Sequence, residues 1–241
     1  INPNTLVNGD MLEVMNGIPD KSIDLILTDL PYGRTQNRWD TVIPFDKLWK
    51  QYERVIKDKG VILLFSDGMF MADIMKSNQS LWRYNLVWDK VLPSGFLNAN
   101  RQPLRSHEEI VVFYKEQPQY NPQKSKGKKN NSQGVAKLRE NNNYGDFNFV
   151  DNGELLGDMK HPKSIVSYSR SHSAKMKHPT EKPIDLIKYL IKTYTNKDEL
   201  VLDSTMGSGT TCVGAKELGR NYIGIELDET YYNVAKSRVE E

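Results

Sequence analysis

The clearest chemical signal in this sequence is a polar turn that directly follows an apolar segment. Residues 23–27 (Ile-Asp-Leu-Ile-Leu) have the length and hydrophobicity of a buried strand. The segment Thr28-Asp29-Leu30-Pro31-Tyr32-Gly33 comes next, and its proline and glycine end the strand. Polar residues at the carboxyl end of a buried parallel strand lie where the active sites of α/β proteins lie. The turn is therefore a candidate catalytic site.

These residue types suit the methylation of an exocyclic amine on a nucleic-acid base. Such an amine is a poor nucleophile because its lone pair is delocalised into the ring, and two acceptors that hold its hydrogens would favour a tetrahedral, nucleophilic nitrogen. The Asp29 carboxylate and the main-chain carbonyl of Leu30 can be these acceptors, and Pro31 fixes the backbone that aims the carbonyl. Tyr32 offers a flat face on which an extruded base can stack. An ordinary Pro-Tyr-Gly turn without chemistry is the alternative interpretation.

A second candidate site is a glycine loop near the C-terminus. The apolar segment 200–202 runs into Asp203-Ser204-Thr205-Met206-Gly207-Ser208-Gly209-Thr210-Thr211, which precedes a predicted helix. Gly207 and Gly209 let the backbone approach a ligand closely and turn into the helix. Cys212 stands where the third glycine of the dinucleotide-binding fingerprint would be. The loop by itself is therefore only half of that fingerprint.

Two carboxylates sharpen the prediction for the ligand. Asp203 at the strand tip would repel a pyrophosphate, whereas a ligand with an amino group and a sulfonium would favour it. Glu226 ends the next predicted strand, where a carboxylate can accept hydrogen bonds from both ribose hydroxyls. Together they suit S-adenosylmethionine better than NAD, although helix-capping or surface roles are the alternative for either acid alone.

Alternating strands and helices must position both segments. Strands are predicted at 6–7, 23–28, 61–65, 82–88, 109–114, 200–202 and 221–226, and helices at 11–16, 45–57, 69–76, 183–194, 210–218 and 230–239. Strands that are separated by helices indicate a mostly parallel sheet.

The character of the chain changes between about residues 115 and 177. This stretch is rich in Asn, Gln, Lys, Ser and Gly and is too polar for a sheet core. Its basic run holds Lys124, Lys126, Lys128 and Lys129. One interpretation is a flexible surface insertion. The other is a DNA-facing segment, in which lysines contact phosphates while Asn and Gln side chains reach base edges.

Composition excludes several other classes of protein. The 241 residues carry a net charge of +2, so any basic surface must come from local clustering. The single cysteine, Cys212, rules out a disulfide within the chain and a cysteine-rich zinc site. The four histidines lack metal-ligand spacing, so we predict no metal site. No apolar run reaches membrane length and the first residues do not resemble a signal peptide, so we expect a cytoplasmic protein.

The order of these segments resembles the β class of DNA amino-methyltransferases, which methylate adenine N6 or cytosine N4. In that family the catalytic turn reads Asp/Asn/Ser-Pro-Pro-Tyr and lies near the N-terminus, the cofactor loop lies near the C-terminus, and target recognition lies between them. Here Asp29-Leu30-Pro31-Tyr32 comes first, residues 203–209 come last, and the polar stretch lies between. The resemblance spans nearly the whole chain and implies S-adenosylmethionine as cofactor and double-stranded DNA as substrate.

Three further segments carry the resemblance. Asn8-Gly9-Asp10 is similar to an N-terminal element whose Asp meets the adenine of the cofactor. Residues 107–113 are similar to a strand on the base-binding side. His178-Pro179-Thr180-Glu181-Lys182-Pro183 is similar to a signature that lines the methionine end of the cofactor, just before a helix.

The sequence departs from the family pattern at two positions. Leu30 stands where relatives have Pro, and we expect activity to survive because only the backbone carbonyl is needed there. Met206 stands where relatives have a Phe that covers the cofactor, and its softer side chain can fill the same space.

The resemblance implies a role for each residue of the site. Catalytic roles fall on Asp29, Leu30, Pro31 and Tyr32. Cofactor binding falls on Asp10, Asp29, His178, Thr180, Lys182, Pro183, Asp203, Met206, Gly207, Ser208, Gly209, Thr210, Thr211 and Glu226. Phosphate contacts fall on Lys124, Lys126, Lys128 and Lys129.

The resemblance also implies an α/β, Rossmann-like methyltransferase fold with helices on both faces of the sheet. Residues 1–114 would form the catalytic half of the core, 115–177 a target-recognition insertion and 178–241 the cofactor-binding half. The Asp that begins the catalytic turn favours adenine N6. Cytosine N4, RNA, a protein side-chain amide, or DNA binding without catalysis are the alternatives. Homodimerisation and a cognate restriction endonuclease are left open.

Overall fold

The computed structural model describes residues 1–33, 41–128, 158–170 and 181–241. The chain divides into two units. Residues 1–121 and 163–241 form the larger unit, which holds the main sheet and all the helices described below. Residues 122–162 form the smaller one.

Eight strands of the larger unit form one sheet. These strands are β1 (Thr5–Asn8), β2 (Ile23–Thr28), β3 (Ile56–Ser66), β4 (Trp82–Ser94), β5 (Arg105–Phe113), β8 (Ile165–Ser167), β9 (Leu200–Asp203) and β10 (Asn221–Glu226). Their order across the sheet is β1-β10-β9-β2-β3-β5-β4-β8. Only β5 runs antiparallel to its neighbours, β3 and β4. The sheet is therefore mostly parallel, as predicted.

Helices cover both faces of this sheet because successive side chains of a strand point to opposite faces. On β2, Leu25 and Leu27 pack on the face covered by three helices, α4 (Ile184–Tyr194), α5 (Thr210–Glu217) and α6 (Glu229–Glu240). Ile26 points to the other face, which is covered by α1 (Met11–Val14), α2 (Phe45–Val55) and α3 (Gly68–Ser77). The predicted α/β fold class is confirmed.

β5 begins at Arg105 rather than at residue 109, and two other strands are much longer than predicted. β3 begins at Ile56 rather than at residue 61, because Ile56 pairs with Ile23 and extends the ladder through the exposed, polar residues 57–59. β4 continues to Ser94, because Ser94 pairs with Arg105 beyond an irregularity in the ladder with β5. The extension of β3 is polar and that of β4 follows an irregularity in the ladder, so the hydrophobic pattern predicted neither.

The polar stretch 115–177 also contributes an unpredicted strand to the main sheet. β8 forms the sheet edge and runs parallel to β4, with Ile165 opposite Val87. Only its central residue, Val166, is buried, so an edge strand this short has almost no hydrophobic signal.

The smaller unit contains a two-stranded antiparallel ladder. It consists of β6 (Ser125–Lys126) and β7 (Met159–Lys160). Lys126 lies 3.7 Å from the Asp158 carboxylate, and both side chains are exposed. In the part of the chain that the structure describes, no helix has the length and apolar character needed to cross a membrane.

Candidate active site

The site forms beside two neighbouring parallel strands whose connections run to opposite sides of the sheet. β2 and β9 pair at the centre of the sheet. The chain leaves β2 towards β3, whereas it leaves β9 towards β10 on the other side. A crevice opens beyond the carboxyl ends of strands at such a switch point. The catalytic turn after β2 and the glycine loop after β9 both face it.

Hydrogen bonds join these two segments across about 175 residues of sequence. The Thr28 hydroxyl donates to the Asp203 carboxylate at 2.8 Å and lies 2.8 Å from the Thr205 hydroxyl. The Thr205 hydroxyl also donates to the main-chain carbonyl of Asp29 at 3.0 Å. These hydrogen bonds fix the position of the turn relative to the loop.

The Asp29 carboxylate has a different donor on each oxygen. The Tyr32 hydroxyl donates to Oδ1 at 2.7 Å, and the Lys182 ammonium donates to Oδ2 at 2.5 Å. Burial and the nearby Asp29 and Glu108 carboxylates raise the pKa of Tyr32 well above its usual value, so its hydroxyl stays protonated. A carboxylate has about four lone-pair sites. Asp29 therefore keeps capacity to accept a hydrogen from a substrate.

Lys182 belongs to a row of alternating charges. Its ammonium lies 3.3 Å from Glu108 Oε2, and Glu108 Oε1 lies 2.6 Å from the Lys90 ammonium. Burial alone would lower the pKa of Lys182, but Asp29 and Glu108 raise it above its usual value. Burial would raise the pKa of Glu108, but Lys182 and Lys90 hold it below its usual value. Carboxylates and ammonium groups thus alternate along the row Asp29–Lys182–Glu108–Lys90.

Aromatic rings border this row of charges. The Lys182 ammonium lies 4.9 Å from the centre of the Phe65 ring, and Lys90 lies 5.7 Å from the Trp88 ring. The Tyr32 ring stacks on Phe70 with 4.6 Å between centroids. Flat walls and charged groups together suit a planar, polar ligand.

The Glu226 carboxylate accepts hydrogen bonds from the glycine loop and from the residues that follow β10. The main-chain N–H groups of Gly207 and Asp228 each donate to Glu226 at 2.8 Å. Gly207 has φ of +51°, which favours glycine. Burial raises the pKa of Glu226, although these donors oppose the effect.

Most of the predicted residues line one cavity of about 570 Å³. This volume falls within the range of about 300–1,000 Å³ that is usual for small-molecule sites. The predicted residues in its wall are Asp10, Asp29, Leu30, Pro31, Tyr32, Lys182, Asp203, Met206, Gly207, Ser208, Thr210, Thr211 and Glu226. Gly209 and Pro183 are not among the lining residues, and His178 and Thr180 lie outside the described residues.

Two residues of the loop region have packing roles of their own. Gly209 has φ of +79°, and a Cβ there would lie 2.8 Å from the Cβ of Ala235 on α6. Glycine at this position thus lets the loop lie against that helix. The Met206 side chain packs against Gly224 of β10, where a Cβ would clash with its sulfur. Met206 is buried and also lines the cavity.

Several cavity residues received no individual role in the sequence analysis. They are Thr28, Phe65, Trp88, Lys90, Arg105, Glu108, Arg170 and Glu181. Lys90 follows Asp89 in β4 and Glu108 lies in a polar run of β5, so neither residue stood out in the sequence. The basic run lies elsewhere: Lys124, Lys126 and Lys128 are exposed residues of the smaller unit, and Lys129 is outside the described residues.

The acceptors in this cavity fit S-adenosylmethionine. Asp10, Asp203 and Glu226 line it, and in the described ranges none of these three carboxylates has a cationic partner. Asp203 and Glu226 are 4% and 8% exposed, so their charges are poorly screened by water. A ligand that brings a sulfonium, an ammonium and ribose hydroxyls would supply the missing positive charge and donors. Asp10 also caps α1, where it accepts from the Leu12 N–H at 2.7 Å.

Replacing Asp203 by Asn is expected to stabilise the cofactor-free chain. Burial raises the pKa of Asp203 to about 6, although hydrogen bonds from Thr211, Thr28 and Thr205 oppose this. An acid with a raised pKa in the folded state adds stability at low pH that is lost as the pH rises towards that pKa. The pKa rises from its usual 3.8 to about 6. At about 1.4 kcal/mol per pKa unit, Asp203→Asn should therefore raise the free energy of unfolding at pH 8 by about 3 kcal/mol.

Urea unfolding of wild type and Asp203→Asn at pH 8 and pH 5 measures this effect. The advantage of the variant should shrink towards pH 5, and equilibrium dialysis should show weaker S-adenosylmethionine binding. If wild type and Asp203→Asn had equal unfolding free energies at both pH values, the result would contradict a buried, ionised Asp203.

Comparisons with known proteins agree with this geometry. The family model N6_N4_Mtase, described as DNA methylase, matches residues 23–237. The type II methyltransferase M.BglII of Bacillus subtilis is 30% identical over 265 residues, which cover 96% of this chain and 68% of that protein.

Solved structures share the fold. The structure of the M1.HpyAVI–SAM complex has a TM-score of 0.64 and 23% identity, and the match covers 97% of this chain and 98% of that one. The PvuII DNA methyltransferase, described as cytosine-N4-specific, has a TM-score of 0.71 and 17% identity, with 98% and 86% covered.

Proposed function

This chain belongs to the N6/N4 DNA methylase family, and on that premise we propose that it transfers a methyl group from S-adenosylmethionine to the N6 amine of adenine in DNA. The observation that carries the proposal is that the Asp29 turn and the acidic glycine loop line one cavity, joined by Thr28 and Thr205. An acceptor for an amine and a site for a cationic methyl donor thus adjoin.

Asp29 and Leu30 hold the amine of the target base. Asp29 keeps lone pairs beyond those used by Tyr32 and Lys182, and within the described chain no group donates to the Leu30 carbonyl. Two acceptors on the amine hydrogens direct the nitrogen lone pair away from the ring. The Lys182 ammonium holds Oδ2 of Asp29 in place, and hydrogen bonds that involve a charged group are stronger than neutral ones.

The remaining residues bind and orient the two reactants. S-adenosylmethionine supplies an electrophilic methyl group on a sulfonium. Asp203, Glu226 and Asp10 bind this cation and its hydroxyls, with Met206 and Lys182 beside them. The target base leaves its helix and stacks on Tyr32. Alignment of nitrogen and methyl carbon in a water-poor cavity then supplies most of the rate, as in other transfers without a covalent intermediate.

Recognition of DNA is assigned to the polar stretch between the two halves of the core. The stretch 115–177 is the target-recognition insertion, in which Lys124, Lys126, Lys128 and Lys129 contact phosphates. Within that stretch the structure describes residues 115–128 and 158–170. Homodimerisation and a cognate restriction endonuclease remain open possibilities from the family resemblance, and a cytoplasmic location remains an expectation from the sequence.

Adenine is preferred over cytosine because an Asp begins the catalytic turn. Among the similar proteins, M.BglII is described as a type II methyltransferase and the PvuII enzyme as cytosine-N4-specific. Cytosine N4 is therefore the second candidate. A DNA-binding chain without catalysis is disfavoured, because Asp29, Tyr32 and Asp203 are all present in the cavity.

Labelled methyl transfer to unmodified genomic DNA tests the proposal. We expect label in the DNA and N6-methyladenine on nucleoside analysis. N4-methylcytosine would keep the reaction and overturn the choice of base. Binding of S-adenosylmethionine without transfer to any nucleic acid would favour the catalytically silent alternative.

A further inference from the structure

The turn between β4 and β5, residues 95–104 and here called the hairpin tip, exposes apolar side chains. Phe96 is 81% exposed and Leu97 is 96% exposed. Single exposed apolar residues are common on protein surfaces. Two adjacent ones at the end of a hairpin are a contiguous patch that the core does not explain.

The hairpin tip is ordered by its own backbone. Gly95 has φ of +89°, and residues Phe96–Asn98 form a turn of 3₁₀-helix. The N–H of Asn98 donates to the Gly95 carbonyl at 2.9 Å, and the N–H of Ala99 donates to the Phe96 carbonyl at 3.0 Å. Phe96 and Leu97 are therefore presented on a preformed turn, so a partner does not have to order the backbone.

The hairpin tip begins where the wall of the active-site cavity ends. Ser94 and Arg105 are opposite each other at the last pair of the β4–β5 ladder, and both line the cavity. Lys90 and Glu108 of the same two strands line it further along the ladder. A molecule that places one of its parts in the cavity would therefore meet the hairpin tip beside that part.

The surroundings of the apolar pair suit a polyanion. From Val91 to Arg105 the sequence has no Asp or Glu, Arg101 adds a positive charge, and Arg105 pairs with Asp67 at 3.0 Å. Asn98, Asn100 and Gln102 are exposed on the same segment and can reach base edges or phosphates. Apolar side chains among arginines and amides match the stacked bases and phosphates of a duplex.

We propose that the hairpin tip enters the target duplex and that Phe96 and Leu97 fill the space left by the extruded base. The inference rests on the proposed DNA methyltransferase function. Extrusion of a base costs stacking and pairing, and apolar side chains inserted between base steps are a known means of distorting a duplex. The apolar pair would hold the opened duplex while the base is in the cavity.

The double variant Phe96→Ala/Leu97→Ala tests this role on two duplexes that contain the site methylated by the wild type. One duplex is fully paired, and the other has an abasic position opposite the target base, where extrusion is less costly. We expect kcat/KM to fall about tenfold on the paired duplex and to recover to within about twofold of wild type on the other. A merely structural defect would lower transfer equally on both.

Trp82→Ala is the matched control, because Trp82 is a large, 40% exposed residue at the opposite end of β4. It should match wild type on both duplexes. Unchanged transfer by the double variant, or equal loss on both duplexes, overturns the proposal. A wild-type dimer that the double variant turns into monomers, measured by sedimentation, also overturns it, since the patch would then join two copies. Absence of transfer by the wild type would refute the proposed function instead.

Discussion

Asp29→Asn is expected to lower kcat by about 10³-fold, because loss of one preorganised acceptor of the reacting group commonly costs about 10²–10³-fold. The Asn side chain can still accept from the Tyr32 hydroxyl, but it removes the negative charge that faces Lys182 and holds the amine hydrogen. Asp29→Ala should be at least as inactive. Single-turnover methyl transfer measures the loss, and circular dichroism and a thermal melt establish that the fold is retained.

Asp20→Asn is the matched control for this substitution. It makes the same chemical change on a carboxylate whose side chain is 71% exposed and pairs with Arg54. Its transfer rate should equal that of the wild type. Wild-type turnover by Asp29→Asn would remove Asp29 from the mechanism.

Lys182→Met is expected to have the second largest effect, because it removes the cation between Asp29 and Glu108. Methyl transfer should fall about 10²-fold, since the Asp29 carboxylate loses the donor that holds its Oδ2 in place. The free energy of unfolding at pH 8 should fall by about 3 kcal/mol, because removal of one partner leaves buried charge uncompensated. Activity assays and urea unfolding measure the two effects separately.

The pH dependence of this loss has a definite sign. In the wild type, burial would raise the pKa of Glu108, but its ion pairs hold the pKa below its usual value. These ion pairs therefore add stability at pH values above the usual pKa, and this stability is lost as the pH falls. Without Lys182, burial and Asp29 favour protonation of Glu108. The destabilisation should therefore be largest at pH 8 and should shrink towards pH 4.

Two further variants separate stability from catalysis. Lys182→Arg keeps the positive charge and should retain most of the stability. Adding Glu108→Gln to Lys182→Met removes one of the uncompensated charges, so stability should recover while methyl transfer stays low. Recovery of full activity in that double variant would show that Lys182 only balances the charge of Glu108.

The fold could be predicted largely from local patterns. The apolar segments at 23–28, 200–203 and 221–226 are strands in the structure, and the helices at 45–55 and 184–194 follow the expected periodicity. These elements are long, or continuously apolar, so residues close in sequence determine them. The edge strand β8 has only one buried residue, Val166, and its pairing with β4 depends on the rest of the sheet.

The sequence by itself also determined the two segments that face the cavity, because a strand end followed by Asp29 or by Asp203 and glycines is a local feature. Only the tertiary structure decided which groups surround Asp29. Lys90, Glu108 and Lys182 come from β4, β5 and the residues before α4, and they meet because of the strand order and register. Contacts between residues so far apart in the chain leave no periodic signal, since many pairings of the same strands would satisfy the same local pattern.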